Sequence, residues 1–242
     1  MKNTAIIIPS RLAARRFPNK PLVKINNVPM IIHVLNKAIE ARVGEVFVAT
    51  PDVEIFNIVN NNGGNGILTK HDHASGSDRI YEVYSKRLKR NTDLIINLQG
   101  DMPNIKPHNI SKLVKLMKNN NCDIGTLASN IKDKSEIIDP NIVKVLTNQT
   151  LKENNFIIAK DFFRTKKDLE NKKIYHHVGI YCFQPTYLKQ YVELGESKQE
   201  KIQKLEQLRV LGKIDMNVGY CDSNPLSVDT LEDLKKVERE IN

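Results

Sequence analysis

The stretch TAIIIPSRLAARRFPNK, residues 4–20, begins as an apolar, β-branched run and turns at Pro9 into a loop carrying Arg11, Arg15, Arg16 and Lys20. A run with no polar alternation is the signature of a strand covered on both faces, and such strands belong to parallel sheets flanked by helices. EVFVAT (45–50), GILT (66–69) and DLIINL (93–98) repeat the pattern. Between the runs, PMIIHVLNKAIEA (29–41) and SDRIYEVYSKRLKR (77–90) space their apolar residues by three and four. Pro29 suits a first helical turn, and Ser75 or Ser77 suits an N-cap. The βαβ alternation predicts a three-layer α/β/α fold around a mainly parallel, mixed central sheet.

The second half is less regular. NIVKVLTN (141–148), HHVGIYCF (176–183) and IDMNVGY (214–220) read as strands, EKIQKLEQLRVL (200–211) and LEDLKKVEREI (231–241) as helices, and the polar KKDLENKKIY (166–175) as a loop or lid. No internal repeat is present, and a single domain over 1–242 is predicted.

Composition narrows the class. At 40% hydrophobic and 27% charged, the chain is an ordinary globule, which excludes disordered and fibrous proteins. No run approaches the ~18 apolar residues of a membrane span, and no secretory leader is read at the N-terminus, so a cytoplasmic location without membrane insertion is expected. Cys122, Cys182 and Cys221 are widely spaced and odd in number, which favours reduced packing residues over disulfides or a metal set. The formal charge of +9 points to an anionic partner. Nucleic acid is disfavoured, because the cations are spread along the chain, aromatics are 6% and no nucleic-acid-binding signature is present. A small phosphorylated or carboxylated substrate fits better.

In a parallel α/β sheet, ligands bind outside the carboxyl ends of the strands, so the strand tails are where chemistry is expected. The opening loop has four cations but not the glycines of a phosphate loop or dinucleotide fingerprint, so side-chain charge must hold any phosphate. HDHASGSDR (71–79) offers small hydroxyls, Gly76 and Arg79 in a turn suited to a planar ring, or simply a capped helix start. His71 and His73 are poor metal candidates, with no third ligand nearby. INLQGDMP (96–103) puts Gln99, Gly100 and Asp101 at a strand tip, where Gly100 allows a sharp bend and Asp101 suits a Mg²⁺ ligand. PLSVDTLEDL (225–234) places Asp229 at a predicted strand end, as a second metal ligand or as a helix cap.

IIIPSRLAARRFPNKPL, HASGSDR, NLQGDMP, HVGIY, LEQLRVL and VDTLEDL, taken in order, resemble the 3-deoxy-manno-octulosonate cytidylyltransferase family over essentially the whole chain. The resemblance implies a nucleotide-diphospho-sugar transferase-like fold, with a nucleotide-binding half at about 1–130 and a smaller antiparallel sugar-binding and dimerisation part at about 131–225. It implies a homodimeric cytoplasmic Mg²⁺ enzyme joining CTP to 3-deoxy-manno-octulosonate (Kdo) for lipopolysaccharide synthesis. Matched position by position, Arg11, Arg16 and Lys20 would hold the CTP phosphates, with Arg11 and Lys20 also catalytic. Ser75, Ser77 and Arg79 would lie by cytosine and ribose, and Gln99 between nucleotide and sugar. Asp101 and Asp229 match the metal-binding aspartates. Arg164, ending AKDFFR (159–164), matches the carboxylate-binding arginine, and His177, Tyr181, Glu206 and Gln207 match hydroxyl-binding positions. The chain departs from the pattern at Ala14, Arg15, Met102 and Leu231, none of them a proposed ligand. Two other readings remain open: a CMP-sugar synthetase for a nonulosonate or an amino analogue of Kdo, and a nucleotide-binding regulator without turnover.

Overall fold

Strand β1, Thr4–Pro9, is buried up to Pro9, as its unbroken apolar run demands. The structure, a computed structural model, describes residues 3–13 and 17–241; the candidate phosphate contact Arg16, like Ala14 and Arg15, lies outside the described residues. A 3₁₀ turn at Lys20–Leu22 leads into a short hairpin of β2 (Lys24–Ile25) and β3 (Val28–Pro29). Its turn residues Asn26 and Asn27 both take positive φ, which asparagine tolerates well and which matches the twist of paired strands. Then follow α1 (Met30–Glu40), β4 (Glu45–Thr50), α2 (Val53–Asn61), β5 (Gly66–Leu68), α3 (Gly76–Val83), β6 (Leu94–Leu98) and α4 (Pro107–Asn120).

The chain divides into two compact units, Met1–Ser111 with Pro225–Asn242, and Lys112–Asn224. The first unit orders its strands β5-β4-β1-β6, all parallel. From β1 the chain winds outward through β4 to β5, then returns to place β6 on the other side of β1. The strand order therefore reverses between β1 and β6, whose carboxyl ends carry the basic loop and Gln99–Asp101.

The second unit contains β7 (Ile124–Ser129), α5 (Ser135–Ile138), β8 (Lys144–Thr147), β9 (Phe156–Phe163), β10 (Lys173–Phe183), α6 (Pro185–Glu193), α7 (Lys198–Gln203) and β11 (Met216–Tyr220). The order is β10-β7-β11-β9-β8, and β8 also pairs with β10, so this ladder closes on itself. β7 and β11 run parallel and the other pairs antiparallel. The mixed α/β class and the antiparallel second part are as the sequence predicts. Cys182 and Cys221 are buried thiols outside any disulfide, and burial pushes the Cys221 thiol up to about 12. Among the described residues, no helix is long and apolar enough to cross a membrane.

The chain returns to the first unit with α8 (Leu231–Glu240), which starts in a capping box between Thr230 and Asp233. Its apolar face closes a cluster of Ile25, Met30, Val228, Leu234 and Val237, with Phe17, Val23 and Leu226 against it. Each fully buried side chain of this size contributes about 1.5–3 kcal/mol, so the cluster firmly ties the segment before α8 to the one around Lys20.

Several predicted boundaries need correction. The helix expected over 200–211 breaks at Lys204, which takes φ 53, and resumes as a 3₁₀ turn at Glu206–Arg209. Gln207, Leu208, Arg209 and Val210 are all buried, and four consecutive buried positions exceed one helical face. The helix over 77–90 stops at Val83 and widens into a π turn at Tyr84–Leu88. Pro29 is the N-cap of α1 rather than inside it, and Ser75, not Ser77, caps α3. Lys173–Tyr175 opens β10 instead of belonging to the loop, and Asp229 follows irregular chain instead of a strand.

Candidate active site

Lys20 stands between two carboxylates at the end of the β1 loop: its Nζ is 2.8 Å from Asp101 Oδ2 and 3.1 Å from Asp229 Oδ1. Burial pulls the ammonium pKa down, but Asp101 and Asp229 more than offset this and leave it raised. Each partner is placed by backbone. The Val228 N–H donates to Asp101 O at 2.9 Å, joining the two aspartate segments, and Val228 is anchored in the apolar cluster. Gly100 has no positive φ, so a sharp left-handed bend is not its reason. A Cβ there would sit 3.2 Å from Pro9 O, and glycine is what lets the two strand ends approach.

The cap reading of Asp229 fails. Thr230 is the N-cap, and the Asp229 N–H itself donates to Asp233 Oδ2 at 3.2 Å. Its carboxylate instead faces Lys20. Two carboxylates converging on one cation are hard oxygen donors, the protein's usual share of a Mg²⁺ shell that phosphates and water complete.

The second set of residues lies along the same strand ends. Asn97 Nδ2 donates to Ser77 Oγ at 3.5 Å, and Gln99 Nε2 donates to Asn97 Oδ1 at 2.9 Å, so Gln99 and Ser77 share a partner. Ser75 Oγ accepts from the Asp78 N–H in a capping box. Arg79 is 2% exposed and donates Nη1 to Thr69 Oγ1 and Lys70 O, which makes it a wall of the 69–79 turn. Burial lowers its pKa first, and the charge of Arg11 lowers it further. Arg11 is exposed, and the next residue is fixed by the Leu12 N–H donating to Asp52 Oδ2 at 2.8 Å. The buried Ser10 hydroxyl beside Arg11 has no hydrogen-bond partner among the described residues.

The second unit gathers the other candidates. The His177 and Tyr181 rings on β10 have centroids 5.6 Å apart, and Phe162 meets His177 edge-on at 5.0 Å. Burial, and then the charge of Glu206, push the Tyr181 hydroxyl far above the usual tyrosine range, so it stays a neutral donor. His177 is 6% exposed, and burial drives its pKa down to about 3. Glu206 and Gln207 sit on the 3₁₀ turn, which is tied to α7 by Arg209 donating Nε and Nη2 to the two Glu200 oxygens at 3.0 and 2.7 Å. Arg164 is fixed on the 139–142 turn, with Nη1 donating to Pro140 O and Asn141 O. Lys144, fully buried, donates to Asp139 O and Ile142 O, so two cations hold four successive carbonyls.

The geometry thus joins Lys20, Asp101 and Asp229, links Gln99 to Ser77 through Asn97, and sets His177 beside Tyr181, whose hydroxyl feels the charge of Glu206. Residues that sequence reading missed include Asp52, Glu82, Asn97, Lys144 and Arg209. Asn97 and Lys144 were detectable as polar interruptions of apolar runs.

The cytidylyltransferase family model matches residues 5–215. A 3-deoxy-manno-octulosonate cytidylyltransferase of Rhodopseudomonas palustris (strain BisB5) is 40% identical over 238 residues, 98% of this chain and 96% of that protein. One from Brucella anthropi is 40% identical over 235 residues, covering 96% and 94%. A CMP:2-keto-3-deoxy-manno-octonic acid synthetase solved in complex with CTP superposes with a TM-score of 0.88 at 34% identity, over 99% of this chain and 98% of that one.

Proposed function

The chain belongs to the 3-deoxy-manno-octulosonate cytidylyltransferase family, and from that premise we propose that it joins CTP to Kdo, giving CMP-Kdo and pyrophosphate for lipopolysaccharide synthesis. The observation that carries the reading at the site is Lys20 held between Asp101 and Asp229 at the carboxyl ends of β1 and β6.

In this proposal the anomeric hydroxyl of Kdo attacks the α-phosphorus of CTP. A P–O bond to the sugar forms, the bond to pyrophosphate breaks in line, and the hydroxyl proton passes to water. Arg11 and Lys20 meet the triphosphate. Lys20 exchanges carboxylate partners for phosphate oxygens as the nucleotide arrives. Asp101 and Asp229 would hold Mg²⁺, which when bound would supply charge neutralisation and lower the pKa of the attacking hydroxyl. Ser75, Ser77 and the 69–79 turn built by Arg79 shape a pyrimidine-sized pocket, and Gln99 faces both substrates. Arg164 takes the Kdo carboxylate, and His177, Tyr181, Glu206 and Gln207 its hydroxyls. Two copies pair as a homodimer in the cytoplasm; the exposed Ile138 and Ile202 of the second unit fit such an interface, and sedimentation at assay concentration tests the pairing.

The experiment is pyrophosphate release with CTP, Mg²⁺ and a panel of sugar acids. Kdo should give the highest kcat/KM, and ATP or GTP should fail to replace CTP. Preference for a nonulosonate or for amino-Kdo would overturn the sugar assignment, and equal use of ATP would overturn the pyrimidine pocket.

A further inference from the structure

Strand β10 does not run regularly against β7. Val178 pairs with Leu127 and Tyr181 with Thr126, so β10 advances three residues while β7 advances one. Gly179 and Ile180 are the extra residues of a bulge. In a regular strand, residues 177 and 181 would stand about 13 Å apart, at ~3.3 Å per residue. Here the bulge brings the two rings to 5.6 Å on one face, the face that also bears Thr126.

Thr126, fully buried, sits under this bulge. Its Oγ1 is 2.7 Å from Ile180 O, 3.2 Å from Val178 O and 2.9 Å from His177 Nε2. Carbonyl oxygens only accept, and a hydroxyl has one hydrogen. That hydrogen goes to Ile180 O, the nearer carbonyl. Oγ1 therefore meets His177 with a lone pair, so Nε2 must carry the ring hydrogen. In a neutral imidazole with hydrogen on Nε2, Nδ1 is an acceptor.

We propose that Thr126 is a positioning residue that sets the tautomer of His177, so that Nδ1 accepts a hydrogen bond from a hydroxyl of the sugar acid. The proposal rests on the reading of His177 as a sugar contact. It makes that contact directional: the site takes a hydroxyl donor at Nδ1 and disfavours a group that only accepts.

Protein labelled with ¹⁵N-histidine tests this. A long-range ¹H–¹⁵N spectrum of the wild type should show His177 with pyrrole-type Nε2 and pyridine-type Nδ1. Thr126→Val keeps the shape and β-branching but deletes the hydroxyl. It should mix the tautomers and raise KM for Kdo about tenfold, the cost of one hydrogen bond, with KM for CTP unchanged. Thr126→Ser should restore both. A wild-type spectrum with the hydrogen on Nδ1 would overturn the proposal even if the valine variant failed to fold. So would a Thr126→Val enzyme with unchanged tautomer and Kdo kinetics, or one whose two KM values rise together. His177→Ala with unchanged Kdo kinetics would instead remove the sugar-contact reading, while the tautomer assignment would still be decided by the spectrum.

Discussion

Asp101 and Asp229 converge on one ammonium, and substitutions at these three residues separate binding from turnover. Asp→Asn at either position keeps volume and removes a negative ligand. Turnover should fall by about 10²–10³ while much of the CTP affinity remains, because the proposed contacts of Arg11 and Lys20 with the triphosphate are untouched. If both aspartates serve one Mg²⁺ as proposed, the losses should not add, since losing one carboxylate would already misplace the ion, and steady-state kinetics of the double variant will show this. Lys20→Met leaves two part-buried carboxylates facing each other. It should lower the melting temperature in metal-free buffer and enlarge the rise in melting temperature that Mg²⁺ alone produces, as read by calorimetry. Both aspartates were legible in the sequence as carboxylates at element ends. What was not legible was the partner of each, because Lys20, Asp101 and Asp229 are far apart in the chain and meet only through the Val228 backbone and its apolar anchor.

Element identity was easiest to read where burial is uniform. β1, β4 and β6 are mostly apolar and buried, interrupted only by residues such as Glu45 and Asn97, so their runs stand out, and the parallel sheet follows from them. α2, α4, α6, β7 and β9 do not stand out in the sequence, because their apolar residues are diluted by Asn, Lys and Glu or interrupted by small residues. The 3₁₀ turn of Glu206 was read as helix because periodicity cannot reveal four consecutive buried positions. The 69–82 turn shows the same limit. Glu82 accepts from the Lys70 N–H, His73 and Lys86 together, contacts that no spacing rule announces. Despite burial, those bonds hold its carboxyl at about 2. Because the turn also carries the Arg79 contacts, Glu82→Gln should raise KM for CTP roughly tenfold, the scale of one charge-assisted bond, and leave KM for Kdo unchanged. Faster amide exchange across 70–75 should accompany it.

At the scale of the whole molecule, His177 and Glu82 both contribute to acid sensitivity. His177 has a folded pKa of about 3 against an ordinary 6.5, so the unfolded chain takes up a proton first as pH falls. Its contribution is complete above pH 6.5 and is lost progressively between 6.5 and 3, with a slope of at most ~1.4 kcal/mol per pH unit. Glu82, at about 2 against 4.5, adds a further loss below 4.5. Urea midpoints measured from pH 7 to 4 should therefore fall, and His177→Gln should flatten the curve above pH 4.5. Joining a nucleotide to a sugar acid requires the phosphate and sugar chemistries to operate in one turnover. ³¹P NMR of CTP, Kdo and Mg²⁺ with the enzyme tests this most directly. The triphosphate signals should decay only when Kdo is present, with pyrophosphate and a CMP phosphodiester appearing in equal amounts. Persistence of CTP with Kdo present, or its conversion to CDP and inorganic phosphate, would contradict nucleotidyl transfer to the sugar.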